Sequence, residues 1–457
     1  MSAPAGAQPR GVVERLSQLA ALGLVFGLLM LALRAAPSFE GPFGVISAIG
    51  FLLLGGMLAS DLLEVIGLPH LTGYILAGIV AGPHVLHFVD HDTVKRLQLV
   101  NTLALSLIAL AGGVELRVGL LKQYLRSLSS AMLVHGTLGV TLTVCVFLGV
   151  ARFLPFTRGM AFSALLGVAI LWGIVAFTRS PSALLGILAQ VRPDGPISRF
   201  SLAFVMSSDV VVVVMLTLAL AFTRPLIEPG SDFSALDLGA LGHELLGSFS
   251  LGTTLGLLLA IYLRFVGGQL LILLVAFGFG LSEGLRYLRF DPTLTFLVAG
   301  FVVENLTRQG PKLLEAVERA GSVVFVVFFA TAGAHLDIPL LRTLWPVALF
   351  LCAARAFITW LCHRIGSRIA GDEPVLRRWG WASLVSQAGL TLGLASLVSR
   401  SYPSFGADFG ALAIAAVAIN ELIGPVLFKF ALDKHGESGR AAAAADAHAG
   451  PATAPSA

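Results

Sequence analysis

The chain alternates long apolar runs with short polar stretches, and their spacing predicts a bundle of membrane-spanning helices. A helix needs about 20 apolar residues to cross a bilayer. About fourteen segments reach or approach that length: 16–36, 43–63, 70–89, 97–115, 128–153, 159–190, 197–222, 240–265, 269–287, 293–306, 313–334, 341–369, 379–398 and 409–432. No small-residue cleavage site follows the first, so it reads as an extra N-terminal helix within 13–37 and not as a signal peptide. Residues 1–12 and 435–457, the latter holding GRAAAAADAHAGPATAPSA, are expected to be disordered. The expected fold class is all-α and polytopic, with about 13–14 transmembrane helices.

Composition agrees with that pattern. Hydrophobic residues make up 56% of the chain and charged residues 12%, where soluble domains carry about 25% charged. With both termini placed in the cytoplasm, about 18 of the 30 Lys and Arg fall inside and about 10 outside. That bias sets the orientation, with both termini in the cytoplasm, and the protein is expected as a multi-pass protein of the cell (inner) membrane. Cys145, Cys352 and Cys362 lack metal or disulfide spacing. His243-Glu244 has Gly247 where a zinc protease needs a second histidine, and no glycine-rich phosphate loop follows a strand. The reading is therefore not an enzyme, with no cofactor, no nucleotide-binding domain and no nucleic-acid partner.

Two apolar segments are broken in the middle. In GIVAFTRSPSALLGIL the run is interrupted by Thr178, Arg179, Ser180 and Pro181, and Pro181 removes a backbone donor and clashes with the preceding turn. In WASLVSQAGLTLGLA it is interrupted by Ser386, Gln387, Ala388 and Gly389. If a linker helix at about 239–266 divides two six-helix halves, 43–223 and 268–433, each broken segment is the fifth of its half. Matched interruptions of this kind point to a transporter of inverted-repeat design, with crossed broken helices and an ion site near the midplane. For either segment alone, close packing through small polar residues is the alternative reading. Between the breaks, Asp209 is the one charge in FVMSSDVVVVVMLTLAL. A carboxylate at membrane depth costs several kcal/mol, which makes it a functional-site candidate by default.

Several motifs carry a family resemblance. GLPHLTGYILAGIVAGP, IALAGGVELRVGLL, FTRSPSA, VVFVVFFATAGAHLDI and LVSQAGLTLGLA follow one another in the order found in the monovalent cation:proton antiporter-2 family, which includes Kef-type relatives. The chain resembles that family over about 43–432, so a cation/proton antiporter membrane domain is expected over 43–434. The resemblance implies that Asp209 binds the cation and the proton in turn, as second member of an acidic pair whose first position is Ser208. A neutral first member goes with electroneutral exchange in the family. The hydroxyls of Ser208, Thr178 and Ser180 are expected to complete a shell of oxygen ligands for a monovalent cation, with Ser386 and Gln387 at the second break. Arg355 matches a basic position that faces the site and is the expected supporting charge. Arg179 stands where relatives carry a neutral or acidic residue. It could pair with Asp209, face a vestibule, or alter transport.

The implied function is secondary active exchange of a monovalent cation, Na⁺ foremost, for H⁺ by alternating access, in a lipid bilayer and as a homodimer. Two other readings stay open. One is K⁺/H⁺ exchange or Kef-like K⁺ efflux. The other is a transport-inactive membrane sensor or partner that keeps the fold.

Overall fold

The structure is a computed structural model. It describes residues 42–439 except 66–67, 229–234, 267–273, 275–276, 289, 308 and 335–337, together with scattered positions between 17 and 31. The expected first helix lies largely outside the described residues, and the N-terminal segment 1–12 and residues 440–457 lie wholly outside them.

The regular structure among the described residues is all helical, with no strand among them. In chain order the α-helices are α1 (Pro42–Glu64), α2 (His70–Ala81), α3 (His91–Arg96), α4 (Gln98–Glu115), α5 (Val118–Val134), α6 (Val140–Val150), α7 (Phe162–Val175), α8 (Pro181–Val191), α9 (Pro196–Ile227), α10 (Ala235–Phe265), α11 (Ser282–Tyr287), α12 (Pro292–Leu306), α13 (Gly310–Ala334), α14 (Ile338–Ala370), α15 (Pro374–Trp379), α16 (Gly389–Ser401) and α17 (Gly406–Lys434). A one-turn π-helix, His135–Gly139, joins α5 to α6 without a change of course, so the segment expected at 128–153 is one long span with a local insertion. By length and apolar content five described spans can cross a bilayer: Leu121–Phe153, Pro196–Leu220, Gly242–Phe265, Leu344–Ala370 and Gly406–Lys434. The two broken segments appear instead as pairs of shorter pieces.

The chain divides into two compact units. The first unit, through Asn101 with Ser322–Leu336, is built on the α1–α2 hairpin and the end of α13. Its apolar cluster contains Phe51, Leu52, Ala81, Leu97 and Ala330. Gly78, in the motif that opens α2, has no room for a side chain, because a Cβ there would land on the Ala330 carbonyl.

The second unit comprises Thr102–Gly321 and Asp337–Ala457. Its largest cluster packs Phe147, Trp172, Val212, Leu351, Leu394 and Phe409, drawn from six helices. A second cluster joins α8 and α9 to Leu376, Leu384 and Phe428. The linker helix α10 lies along α12, with Gly252 and Gly256 against the Thr295 and Ala299 carbonyls. Beyond α17 the chain doubles back. Glu437 is 1% exposed and accepts hydrogen bonds from the Ile197 and Ser198 amides (2.8 and 2.9 Å). It thereby caps the first turn of α9, where unpaired N–H groups and the helix dipole both favour a carboxylate.

Candidate functional site

The first break begins where α7 ends at Val175 and closes where Pro181 opens α8. Ser180 is the N-cap, its hydroxyl accepting from the Ala183 amide at 3.1 Å. Proline at the first helical position needs no donor and suits the helical φ, so Ser180-Pro181 starts a helix where the preceding residues stop one. The second break runs from a 3-10 turn, Gly380–Leu384, through Val385–Ala388 to α16. Between the two half-helices of each break, backbone carbonyls are freed from helical pairing.

Two buried guanidinium groups take up those carbonyls. Arg355 on α14 donates through Nε to Ala176 O (2.7 Å) and through Nη2 to Thr178 O (2.8 Å) at the first break. At the second break it donates through Nη1 to Val385 O (2.7 Å) and through Nη2 to Leu384 O (3.4 Å). Arg179 folds back over the end of α7. Its Nη1 reaches the carbonyls of Ala176 (3.3 Å), Phe177 (2.9 Å) and Thr178 (2.9 Å), and its Nη2 lies 3.3 Å from His135 Nδ1. Helix C-termini are negative poles, so cationic side chains are favoured there. Among the described residues neither arginine pairs with a carboxylate, and their charge is met by carbonyl dipoles.

Side chains bind the two breaks to each other. Gln387 Nε2 donates to Thr178 Oγ1 (2.9 Å) and to Val175 O (3.3 Å). Thr178 Oγ1 also lies 2.6 Å from Thr391 Oγ1 on α16. Asn420 on α17 donates to Gln387 Oε1 at 2.8 Å. Ser386 is buried against Gly424.

Asp209 lies apart from this polar knot. It is half-buried on α9, and its Oδ1 is buried without a hydrogen-bond partner. It opens on a cavity of about 210 Å³ that Pro181, Ser182, Glu244 and Asp291 also line, with apolar walls from Ile108, Met206 and Leu297 among others. Ser208 is buried and turns its hydroxyl to its own helix, donating to Val205 O at 2.7 Å. Ser180 stands behind Ser182, hydroxyl to hydroxyl at 3.1 Å. Of the residues expected around the ion, the structure brings Asp209 to the start of α8. It gathers Thr178, Arg179, Arg355, Ser386 and Gln387 at the crossing.

Reading the sequence missed three residues here. Asp291 caps α12, accepting from the Leu294 amide at 2.7 Å, and it lines the same cavity as Asp209 and Glu244. Asp-Pro at a helix start marks a cap, but nothing local says that the cap also faces Asp209. His135 is 2% exposed inside the π-turn and was signalled only by a lone histidine in an apolar run.

The fold is that of a sodium/proton antiporter. The structure superposes on that of the sodium proton antiporter MjNhaP1 from Methanocaldococcus jannaschii at pH 8 with a TM-score of 0.60, covering 86% of this chain and 96% of that one at 16% identity. An electron-microscopy structure of MjNhaP1 gives 0.58, with 87% and 99% covered at 17% identity. Residues 49–434 match the family described as "Sodium/hydrogen exchanger, transmembrane", and the chain belongs to that family. Among curated proteins it is 25% identical over 300 residues to the "Iron transporter MagA" of Paramagnetospirillum magneticum (strain ATCC 700264 / AMB-1). That match covers 65% of this chain and 64% of the relative's length.

Proposed function

We propose that this protein exchanges a monovalent cation for H⁺ by alternating access, with Asp209 as the carboxylate both ions share. The observation that carries the proposal is the unpartnered Asp209 Oδ1 beside a cavity at the start of the half-helix α8. A bare carboxylate is costly to carry through an apolar barrier, whereas a proton-bearing or cation-bearing one is much less so. The site therefore crosses loaded, and exchange is obligatory. Na⁺ is the leading ion, with K⁺ as the alternative on the same scaffold. One carboxylate beside the neutral Ser208 favours one cation for one proton. The working form is taken to be a homodimer in the cell membrane, which cross-linking between protomers would test.

The experiment is flux in proteoliposomes with an internal pH dye. Adding Na⁺, K⁺ or Li⁺ should move protons with the wild-type chain and not with Asp209→Asn. Identical behaviour of the two would remove Asp209 from the carrier role. A transport-linked current on a solid-supported membrane would refute the one-for-one count. A transport-inactive sensor would move no protons with any ion.

A further inference from the structure

Helix α17 holds a second carboxylate at membrane depth. Glu421 is 6% exposed, in a run from 409 to 432 whose only other charge is Lys429, near its end. The mechanism above makes no use of it. Such a residue is expensive to bury and is seldom retained without a task.

Its placement repeats that of Asp209. Asp209 lies near the middle of the helix that follows the first break, and Glu421 lies near the middle of the helix that follows the second. Each is preceded by a neutral polar residue, Ser208 in one case and Asn420 in the other. Each also lies beside its own break. Asp209 shares a cavity with Pro181 and Ser182. For Glu421 the neighbours on both sides make the contact. Asn420 donates to Gln387, and Gly424, one turn on along the same face, is so close to Ser386 that a Cβ would land on its hydroxyl.

The surroundings of the two acids differ in one respect. Asp209 opens on about 210 Å³ of space. The nearest cavity by Asn420 holds about 10 Å³, walled by Arg355, Cys352, Gln387 and Thr391, which is room for about one water molecule. In an inverted-repeat transporter the two halves exchange conformations as access alternates. The environment that Asp209 has in this state is then the one its counterpart acquires in the opposite state.

From this placement we infer that Glu421 is a second proton-binding carboxylate of the transport cycle, enclosed in the state seen here and opened to water when access reverses. The inference rests on the antiport reading. It adds that the change of access is itself linked to a proton, taken up by Glu421 before it is enclosed and released when it is opened. The elements packed against α17 carry Arg342, Cys352, Arg355, Cys362, His363, Arg364 and Arg368 on α14 and Arg400 near the end of α16, and of these Cys352 and Arg355 line the cavity beside Asn420. The 3-10 turn and α8 contribute none. Arg355 is committed to the carbonyls of the breaks.

The test compares Glu421→Gln and Glu421→Asp in the full chain, measuring Na⁺-driven proton movement against pH and melting temperature in detergent. The inference expects Glu421→Gln to melt close to wild type, to keep its KM for Na⁺, and to lose turnover roughly tenfold or more with a displaced pH profile. Glu421→Asp should restore much of the turnover. A wild-type pH profile and turnover in Glu421→Gln overturn the inference. So do equal losses in both variants with lowered melting temperatures, which assign Glu421 to packing alone. Asp209→Asn is run alongside. If it still exchanges, the carrier reading fails; if it is silent while Glu421→Gln matches wild type, only the present inference fails.

Discussion

The two arginines at the crossing allow a prediction whose size follows from counting carbonyls. Arg355→Met keeps most of the side-chain volume but removes the donors to Ala176 O, Thr178 O, Val385 O and Leu384 O. The first two remain served by Arg179, so Val385 O and Leu384 O are the carbonyls left bare. A buried acceptor without a partner costs about 1–3 kcal/mol, and losing a desolvated charge returns part of that. We expect a net loss of about 2–3 kcal/mol. Arg179→Met strands Phe177 O alone among the carbonyls, because Arg355 still holds Ala176 O and Thr178 O, and it also removes the partner of His135 Nδ1. Its cost should be about 1–2 kcal/mol. The double variant strands all five carbonyls, so its loss should exceed the sum of the single losses by about 2 kcal/mol or more. Denaturant or thermal melting of the four proteins in one detergent measures this cycle. Strict additivity, or a larger loss for Arg179→Met than for Arg355→Met, would refute the shared-carbonyl account.

Three further expectations follow from other contacts. Thr178→Val keeps the shape but removes the partner of Thr391 and the acceptor of Gln387; it should lower stability by about 1–2 kcal/mol and slow exchange, which flux and melting measure together. Glu437→Ala uncaps the Ile197 and Ser198 amides and should cost about 2 kcal/mol, seen as faster amide hydrogen exchange in the first turn of α9. Asp90 lies between the spans and caps α3 from an exposed position; the hydrogen bonds from Thr93 hold its carboxyl below the usual range. A lowered native pKa stabilises above the unfolded value and is lost as pH falls through the native one, so Asp90→Ala should cost about 1 kcal/mol at pH 7 and nothing measurable near pH 2.

The breaks were legible because their causes are local. Pro181 and the Ser386–Gly389 stretch disturb a helix wherever they stand, so both interruptions appear where the residues predict them. Asp209 was legible for a similar reason: one carboxylate in a long apolar run is conspicuous without any partner. The contents of the crossing were not. Whether Arg355 serves one break or both depends on two pairs of carbonyls, those of Ala176 and Thr178 and those of Leu384 and Val385, that meet at one side chain and lie far apart in the chain. Thr178 and Ser208 illustrate the same limit. Both are polar residues near the expected ion, but one is held by Gln387 and Thr391, and the other bonds its own helix. Asp291 went unread because it stands at a helix start, where an acidic residue has an ordinary explanation as a cap, and Glu244 because it lies near the polar start of the apolar run 240–265, where it reads as solvated charge.

The clasp between Glu437 and α9 gives the tail mechanical leverage. The carboxylate grips the amide end of the same helix that holds Asp209, while the Asp194 amide donates to Glu437's own carbonyl and the Gly439 amide donates to Val191 O (3.0 and 2.8 Å). Tension applied beyond Gly439 is therefore delivered to the head of α9 and the turn before it. A fluorescent protein or a tether fused there becomes a handle on the ion-carrying helix. Shortening the chain to Lys434 cuts that handle and loosens the first turn it was tied to.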